Sequence, residues 1–316
     1  MTEQASKPVA EELPVKQPGR PLPMQLREKH VVDAPLRPPS SDKGLPAVFK
    51  EHYLLRLLVR REVSARYQGS FLGLMWSYIN PLSQFLIYWF VMGWLLNLHA
   101  GLPNFPIHLF CALILVHFFT ETFGAGTRSI VRNKALVIKM AMPREMFPVA
   151  TMLVSLWHVV PQVVILLIAC LLNGWMPDVT GVICFALALI IIASIGLAGA
   201  LLFSAANVFF RDFGNAINIM NHFIRFGVPM MYPYATVHER FGSFAPYYLI
   251  NPLADAVVLF QRAFWAGTVN AEDKAAVVMP DHLILHGVAA AAFGLVLLLI
   301  GQVVFSRFEN KIPERL

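Results

Sequence analysis

The sequence predicts an all-α integral membrane protein: six transmembrane helices, an amphipathic surface helix before the first, and re-entrant helices before the last. Three observations carry that prediction. Hydrophobic residues make up 57% of the chain and charged residues only 14%, with a mean hydropathy of +0.60, whereas soluble domains carry about 25% charged residues. Apolar runs of the roughly 20 residues needed to cross a bilayer core recur between polar loops. Lysine and arginine gather on alternate loops, which the positive-inside rule reads as both termini in the cytoplasm. The net charge of +6 is therefore a matter of orientation in a membrane, and nucleic acid is not an expected partner.

Residues 1–47 hold nine of the 22 prolines with few large apolar side chains. Such a composition cannot bury enough surface to fold and reads as a flexible cytoplasmic tail. No signal peptide is read there, since the first long apolar run begins only after about seventy residues. Residues 48–68 read as an amphipathic interface helix. Leu54, Leu58 and Ala65 share one direction, flanked by Leu55 and Val59, while Arg56 and Arg60 project oppositely with Arg61 and Glu62 at the edges. A helix of that design lies in the membrane surface with its arginines toward headgroups and water.

Gly69 and Gly73 loosen the backbone, and from Leu74 to Leu98 no charged residue appears, which gives the first span. Ile107 to Phe123 gives the second. The loop from Thr127 to Phe147 carries Arg128, Arg132, Lys134, Lys139 and Arg144 against the single acid Glu145. Pro148 to Leu172 and Val179 to Ala206 are the third and fourth spans, the latter with Gly181, Gly196 and Gly199 read as close helix packing. Ala216 to Tyr232 is the fifth, weakest by hydropathy. The apolar patches between 243 and 266 are too short to cross and read as re-entrant helices, the second started by Asn251-Pro252. Leu283 to Phe305 is the sixth span, closing a transmembrane domain over 69–306, and residues 307–316 form a cytoplasmic tail. Cys111, Cys170 and Cys184 all fall in apolar runs and read as packing residues.

The fifth span is weak because it is striped. Asn218, Asn221, His222 and Arg225 follow at i, i+3, i+4 and i+7 and share one face. Two readings stand for them: hydrogen-bonding glue between helices, or a polar pathway. Arg225 favours the second, because an ionisable residue in a span usually faces a cavity or a partner. Glu121, near the inner end of the second span, is the natural counter-ion for Arg225 or for the basic loop. In the first span Tyr78, Phe85, Trp89 and Met92 share a face that either packs in the core or stacks sugar rings, while Trp76 and Trp94 sit where aromatic belts anchor helices. His282 and His286, with Asp281 adjacent, have metal-pair spacing but lack convergent ligands, so no metal is assigned. No GxxxxGK[ST] loop is present, and no pair of acids near a nucleophile reads as catalytic. The chain supplies neither chemistry nor its own energy source.

Five segments, RYQGSFLGLMWSYINPL (66–82), NKALVIKMAMPREMFP (133–148), ANVFFRDFGNA (206–216), PMMYP (229–233) and INPLADAVVLFQRAFW (250–265), resemble in order and spacing the membrane subunit of type-2 ABC exporters, in the polysaccharide branch of O-antigen and teichoic-acid exporters. The match runs from about residue 49 to the C-terminus. The proline-rich extension lies outside the pattern, and the overall wording is similar to the mycobacterial exporters of lipid-linked galactan. The resemblance implies a homodimer in the bacterial inner membrane, bound to two copies of a cytoplasmic ATPase subunit that holds ATP and Mg, and a lipid-linked polysaccharide substrate. It makes the surface helix a gate helix and the 127–147 loop a coupling loop that docks into the ATPase through Asn133, Leu136, Lys139, Pro143 and Arg144. Met142 departs from the aromatic residue common before Pro-Arg-Glu. The first and fifth spans would face each other across the dimer channel. Against this stands a membrane-embedded glycosyl- or acyltransferase acting on lipid-linked sugars, which should show a convergent acid or histidine constellation at one membrane face. An assembly or anchoring protein would need no polar stripe within a span.

Overall fold

The computed structural model describes residues 44–97, 102–140, 142–270 and 277–316, and every regular element among them is helical. The predicted tail over 1–47 lies almost wholly outside the described residues. The surface segment forms two helices, α1 (Leu45–Lys50) and α2 (His52–Tyr67), broken at Glu51. Leu55 and Leu58 are the buried residues of α2, and Leu54 and Val59 are half-buried beside them; Ala65, placed on the same arc from the sequence, is exposed. A short 3-10 turn at Gly73–Met75 leads into α3 (Trp76–Tyr88), which continues as a π-helix over Trp89–Leu95. Pro81 lies inside α3 and removes one backbone donor, and the wider π turns follow.

The long helices are α4 (Phe105–Arg132), α6 (Met146–Leu172), α7 (Val179–Phe209) and α12 (Leu283–Phe308), with the short α5 (Lys134–Lys139) between α4 and α6. These four are long and apolar enough to cross a membrane. The α3–π run and α8 (Phe213–Phe226) are shorter. At 1.5 Å per residue the 14 residues of α8 cover about 21 Å, less than the roughly 30 Å of a hydrocarbon core. Between α8 and α12 come α9 (Tyr234–Phe241), α10 (Ala245–Tyr248) and α11 (Pro252–Ala263), where re-entrant helices are expected, and α13 (Ile312–Arg315) ends the chain.

Helix ends follow local chemistry. Asp178 caps α7 by accepting from the Gly181 N–H at 3.1 Å, and Asn251 accepts from the Leu253 N–H with Pro252 at the first position of α11. The sequence places Thr127 in a loop, yet α4 continues to Arg132. Thr127 donates to the Phe123 carbonyl and Ser129 to the Gly126 carbonyl, so these hydroxyls are satisfied within the helix and do not end it.

α7 is the central helix, packed against α4, α11 and α12. Small residues set its approach. A Cβ on Gly126 of α4 would lie 2.5 Å from the Ala200 Cβ, and one on Gly301 of α12 would lie 3.0 Å from the Ala198 carbonyl oxygen. A second apolar cluster, with Val48, Leu58, Val137, Met146, Phe305 and Ile312, joins the surface helices, the loop and the chain terminus. All three cysteines are free and buried.

Candidate functional site

Glu121 organises the polar interior. It sits on α4 with only 10% of its side chain exposed, so its carboxylate needs partners. Arg66, in the last turn of α2, forms a close ion pair with it. His117, one turn earlier on α4, comes within 3.2 Å, and the α6 residue His158 within 3.8 Å. His158 in turn contacts Arg66 at 3.0 Å and the Tyr67 hydroxyl at 2.9 Å, and Tyr67 also bonds Ser77 at the start of α3. One carboxylate thus ties the end of the surface helix to α3, α4 and α6. The sequence offered Arg225 or the basic loop as its counter-ion; the structure assigns Arg66 instead.

Three cavities meet at this pair. One of about 270 Å³ lies between α2, α4 and α6 and includes Arg61, Glu62, Arg132 and Asn133. A small one of about 70 Å³ includes Tyr67, Ser77, Asn80 and His158. The third, about 460 Å³, runs between α4 and α8 and includes His117, Arg128, Asn218, Asn221, His222 and Arg225. Arg66 and Glu121 line all three.

The striped face of α8 is turned to its own chain. Arg128 donates to the Asn218 side chain at 3.0 Å and to the Gly214 carbonyl at 3.2 Å, Asn221 donates to the Thr120 carbonyl at 3.2 Å, and Arg225 reaches the Tyr88 hydroxyl at 3.4 Å. Gly124 leaves the room this needs: a Cβ there would sit 3.2 Å from the Asn221 amide nitrogen. The apolar side of α8, Ile219, Met220, Phe223 and Phe226, is exposed. These intrachain bonds are the contacts that the glue reading expects, and the same side chains line the polar cavity between α4 and α8. The α3 stripe divides. Phe85 packs edge-on against Phe110 with centroids 5.2 Å apart, whereas Trp89 is 42% exposed and Tyr78 half-buried.

The arginines of α2 separate as well. Arg56 and Arg60 are exposed with no side-chain hydrogen bond or ion pair among the described residues, while Arg61 donates to Asn133 at 3.1 Å. Asn133 is buried at the join of α4 and α5. Its amide donates to Glu62 at 2.9 Å and to the Ser129 carbonyl at 3.1 Å, and Glu62 also holds Arg132 at 2.5 Å. Asn133 thus fastens the loop to the surface helix and presents no free face to a partner. Pro143 is buried, and Arg144 donates to the Glu309 carbonyl at 2.8 Å, which turns it to the C-terminal end of α12. Glu145, fully buried, accepts from Gln302 at 2.9 Å. Leu136 is half-buried against the apolar cluster. What the loop offers outward is Lys134, Ala135, Ile138, Lys139 and Met140.

Sequence reasoning missed Arg66, His117, His158, Tyr67, Tyr88 and Arg128 as members of this site. His117 and Glu121 stand at i, i+4, and His158 is an ionisable residue in a span; both signals were present. His282 and His286 gain no further ligand, as no group of three or more metal-binding side chains occurs among the described residues.

Residues 53–265 match the ABC-2 type transporter family. The chain is similar to the O-antigen export system permease protein RfbA of Myxococcus xanthus, 28% identical over 212 residues, covering 67% of this chain and 80% of that protein. It is also similar to two proteins of the same name from Klebsiella pneumoniae, 23% and 22% identical over 263 and 264 residues, in each case 83% of this chain and 94% of the relative. The matched region runs from the surface helix through the Glu121 junction to the end of α11, and it makes this chain a member of the ABC-2 type transporter membrane family.

Proposed function

We propose that this permease subunit exports a lipid-linked polysaccharide, O-antigen-like or a cell-wall galactan, from the cytoplasm across the bacterial inner membrane. The observation that carries the reading is the junction at Glu121, where the surface helix is tied by ion pair and hydrogen bonds to three helices beside a polar cavity. In this reading α2 is the movable element of a gate, and its last turn is joined to such a cavity through Arg66. The names of the relatives supply the substrate class.

In this reading the chain works as a homodimer with two ATPase subunits that hold ATP and Mg, both termini are cytoplasmic, and the α3–π run and α8 complete a set of six spans. Residues 243–266 form the re-entrant pair toward the outer mouth. Arg56 and Arg60, exposed on α2, meet anionic headgroups or the phosphate of the lipid carrier, for which the guanidinium fork is suited. Sugars present hydroxyls at their edges and apolar C–H faces, so Asn218, Asn221, His222 and the exposed ring of Trp89 suit a sliding glycan.

The test is reconstitution of the chain with its cytoplasmic ATPase in vesicles. Lipid-linked glycan from the native membrane should stimulate ATP hydrolysis and appear on the far side. Glycan transferred to an acceptor without an ATPase present would instead establish a transferase.

A further inference from the structure

The cavity between α4 and α8 has an uneven charge. Its walls carry three arginines, Arg66, Arg128 and Arg225, and two histidines, His117 and His222, against the single acid Glu121. Arg66 already holds that acid. Neither Arg128 nor Arg225 has a carboxylate within ion-pair distance among the described residues. Arg128 bonds only neutral oxygens, of Gly214 and Asn218, and Arg225 only a tyrosine hydroxyl at 3.4 Å. The Arg225 Nε and the Asn221 Oδ1 are buried with no hydrogen-bond partner.

α8 runs antiparallel to α4, since Asn218 meets Arg128 and Asn221 meets Thr120. One turn further, Arg225 stands level with His117, near the midpoint of the 28-residue α4. A cation held there without a counter-charge is costly, and membrane proteins keep such residues where an anion or a water-filled cavity meets them. A cavity of about 460 Å³ has room for a phosphate or diphosphate group with its waters.

We infer that Arg128 and Arg225, on the two sides of the open cleft between α4 and α8, form an anion site for a phosphate or diphosphate group, and that the Arg66–Glu121 pair stands beside it as a competitor and switch. Glu121 occupies Arg66 in this structure. An arriving phosphate takes Arg66 from Glu121, leaving the carboxylate to His117 and His158, and so frees the end of the surface helix. The site is distinct from the exposed Arg56 and Arg60. The inference deepens the exporter reading, because a carrier lipid would bring such a group, but binding does not require export.

The experiment uses the full chain with its ATPase partner in phosphatidylcholine nanodiscs, without ATP. Two radiolabelled probes are compared: inorganic pyrophosphate in solution, and a polyprenyl diphosphate within the nanodisc. Arg225→Gln and Arg128→Gln should each weaken retention by about tenfold or more, the effect of losing one charged contact. Arg225→Lys should keep most of it, and exposed Arg307→Gln should change nothing. Glu121→Gln should tighten retention, because the competing carboxylate is gone. Retention of the lipid probe alone assigns the group to a headgroup, and equal retention of pyrophosphate assigns it to free phosphate; either supports the site. Normal retention here, with no ATP-driven export of glycan when the same complex is reconstituted in vesicles, would sink the exporter reading and leave the site standing. Retention unchanged in Arg225→Gln and Arg128→Gln, or lowered as much by Arg307→Gln, overturns the inference.

Discussion

Glu145 shows how much one side chain in the loop carries. It is fully buried and receives the Gln302 amide, while beside it Arg144 reaches the Glu309 carbonyl. In the sequence both read as charges of an exposed docking loop; in the structure they seat the loop on the end of α12. Replacing Glu145 with Ala removes one acceptor of the half-buried Gln302 amide, which keeps its bond to Ser306, and should cost about 1 kcal/mol, read as a lower melting temperature of the detergent-solubilised chain. Arg144→Glu would place a second carboxylate against Glu309, so it should lower stability as well as coupling. The identities of Arg144 and Glu145 were plain from the sequence, but their direction was not. Gln302 and Glu309 lie more than 150 residues further on, and no periodicity links them.

Among elements, the long helices were the most legible, because an apolar run of spanning length is a one-dimensional signal. α6 begins two residues before its expected start, and α7 and α12 each run three residues past their expected ends. α4 is longer than read, since Thr127 and Ser129 look like loop residues until their hydroxyls are seen bonding the preceding turn. α8 is shorter than read, ending at Phe226 where the sequence continues apolar to Tyr232. The packing of α7 makes its own prediction. Gly126→Leu must drive a side chain into Ala200 with no flexible neighbour to yield, so the variant should be lost from the membrane fraction, whereas Gly174→Ala, on an open turn at φ 74°, should cost only local strain.

The short helix α5 divides its work between two faces. Val137 is buried, Asn133 is fastened to α2 through Arg61 and Glu62, and Ile138, Lys139 and Met140 face outward. Ile138→Asp should therefore abolish co-purification of the ATPase subunit. Asn133→Ala should keep the subunit bound and lose stimulation of hydrolysis, because the link to the surface helix is cut. Equal loss of co-purification in both variants would show that the two faces act as one.

At the scale of the whole molecule, the surface helix, the loop and the chain terminus share one apolar cluster, and the helix end is tied into the bundle at Glu121. The family was legible because its motifs lie in these joints: Arg66 and Tyr67 open the first, and Asn133 and Arg144 bound the second. The joints themselves were not legible, since Arg66 and Glu121 are 55 residues apart and Tyr67 and His158 are 91 apart. Local spacing reports which face a residue occupies on its own helix, not which helix will arrive opposite.

The three cysteines have a practical consequence. Cys111, Cys170 and Cys184 all have zero exposed surface, and thiol reagents react with accessible thiolates. The unaltered chain should stay dark to a maleimide dye in its folded state. A single cysteine introduced on the outer face of α5, at Arg60 or along the wall of α8 could then be labelled alone. Distances could be followed through a nucleotide cycle without first removing any native residue.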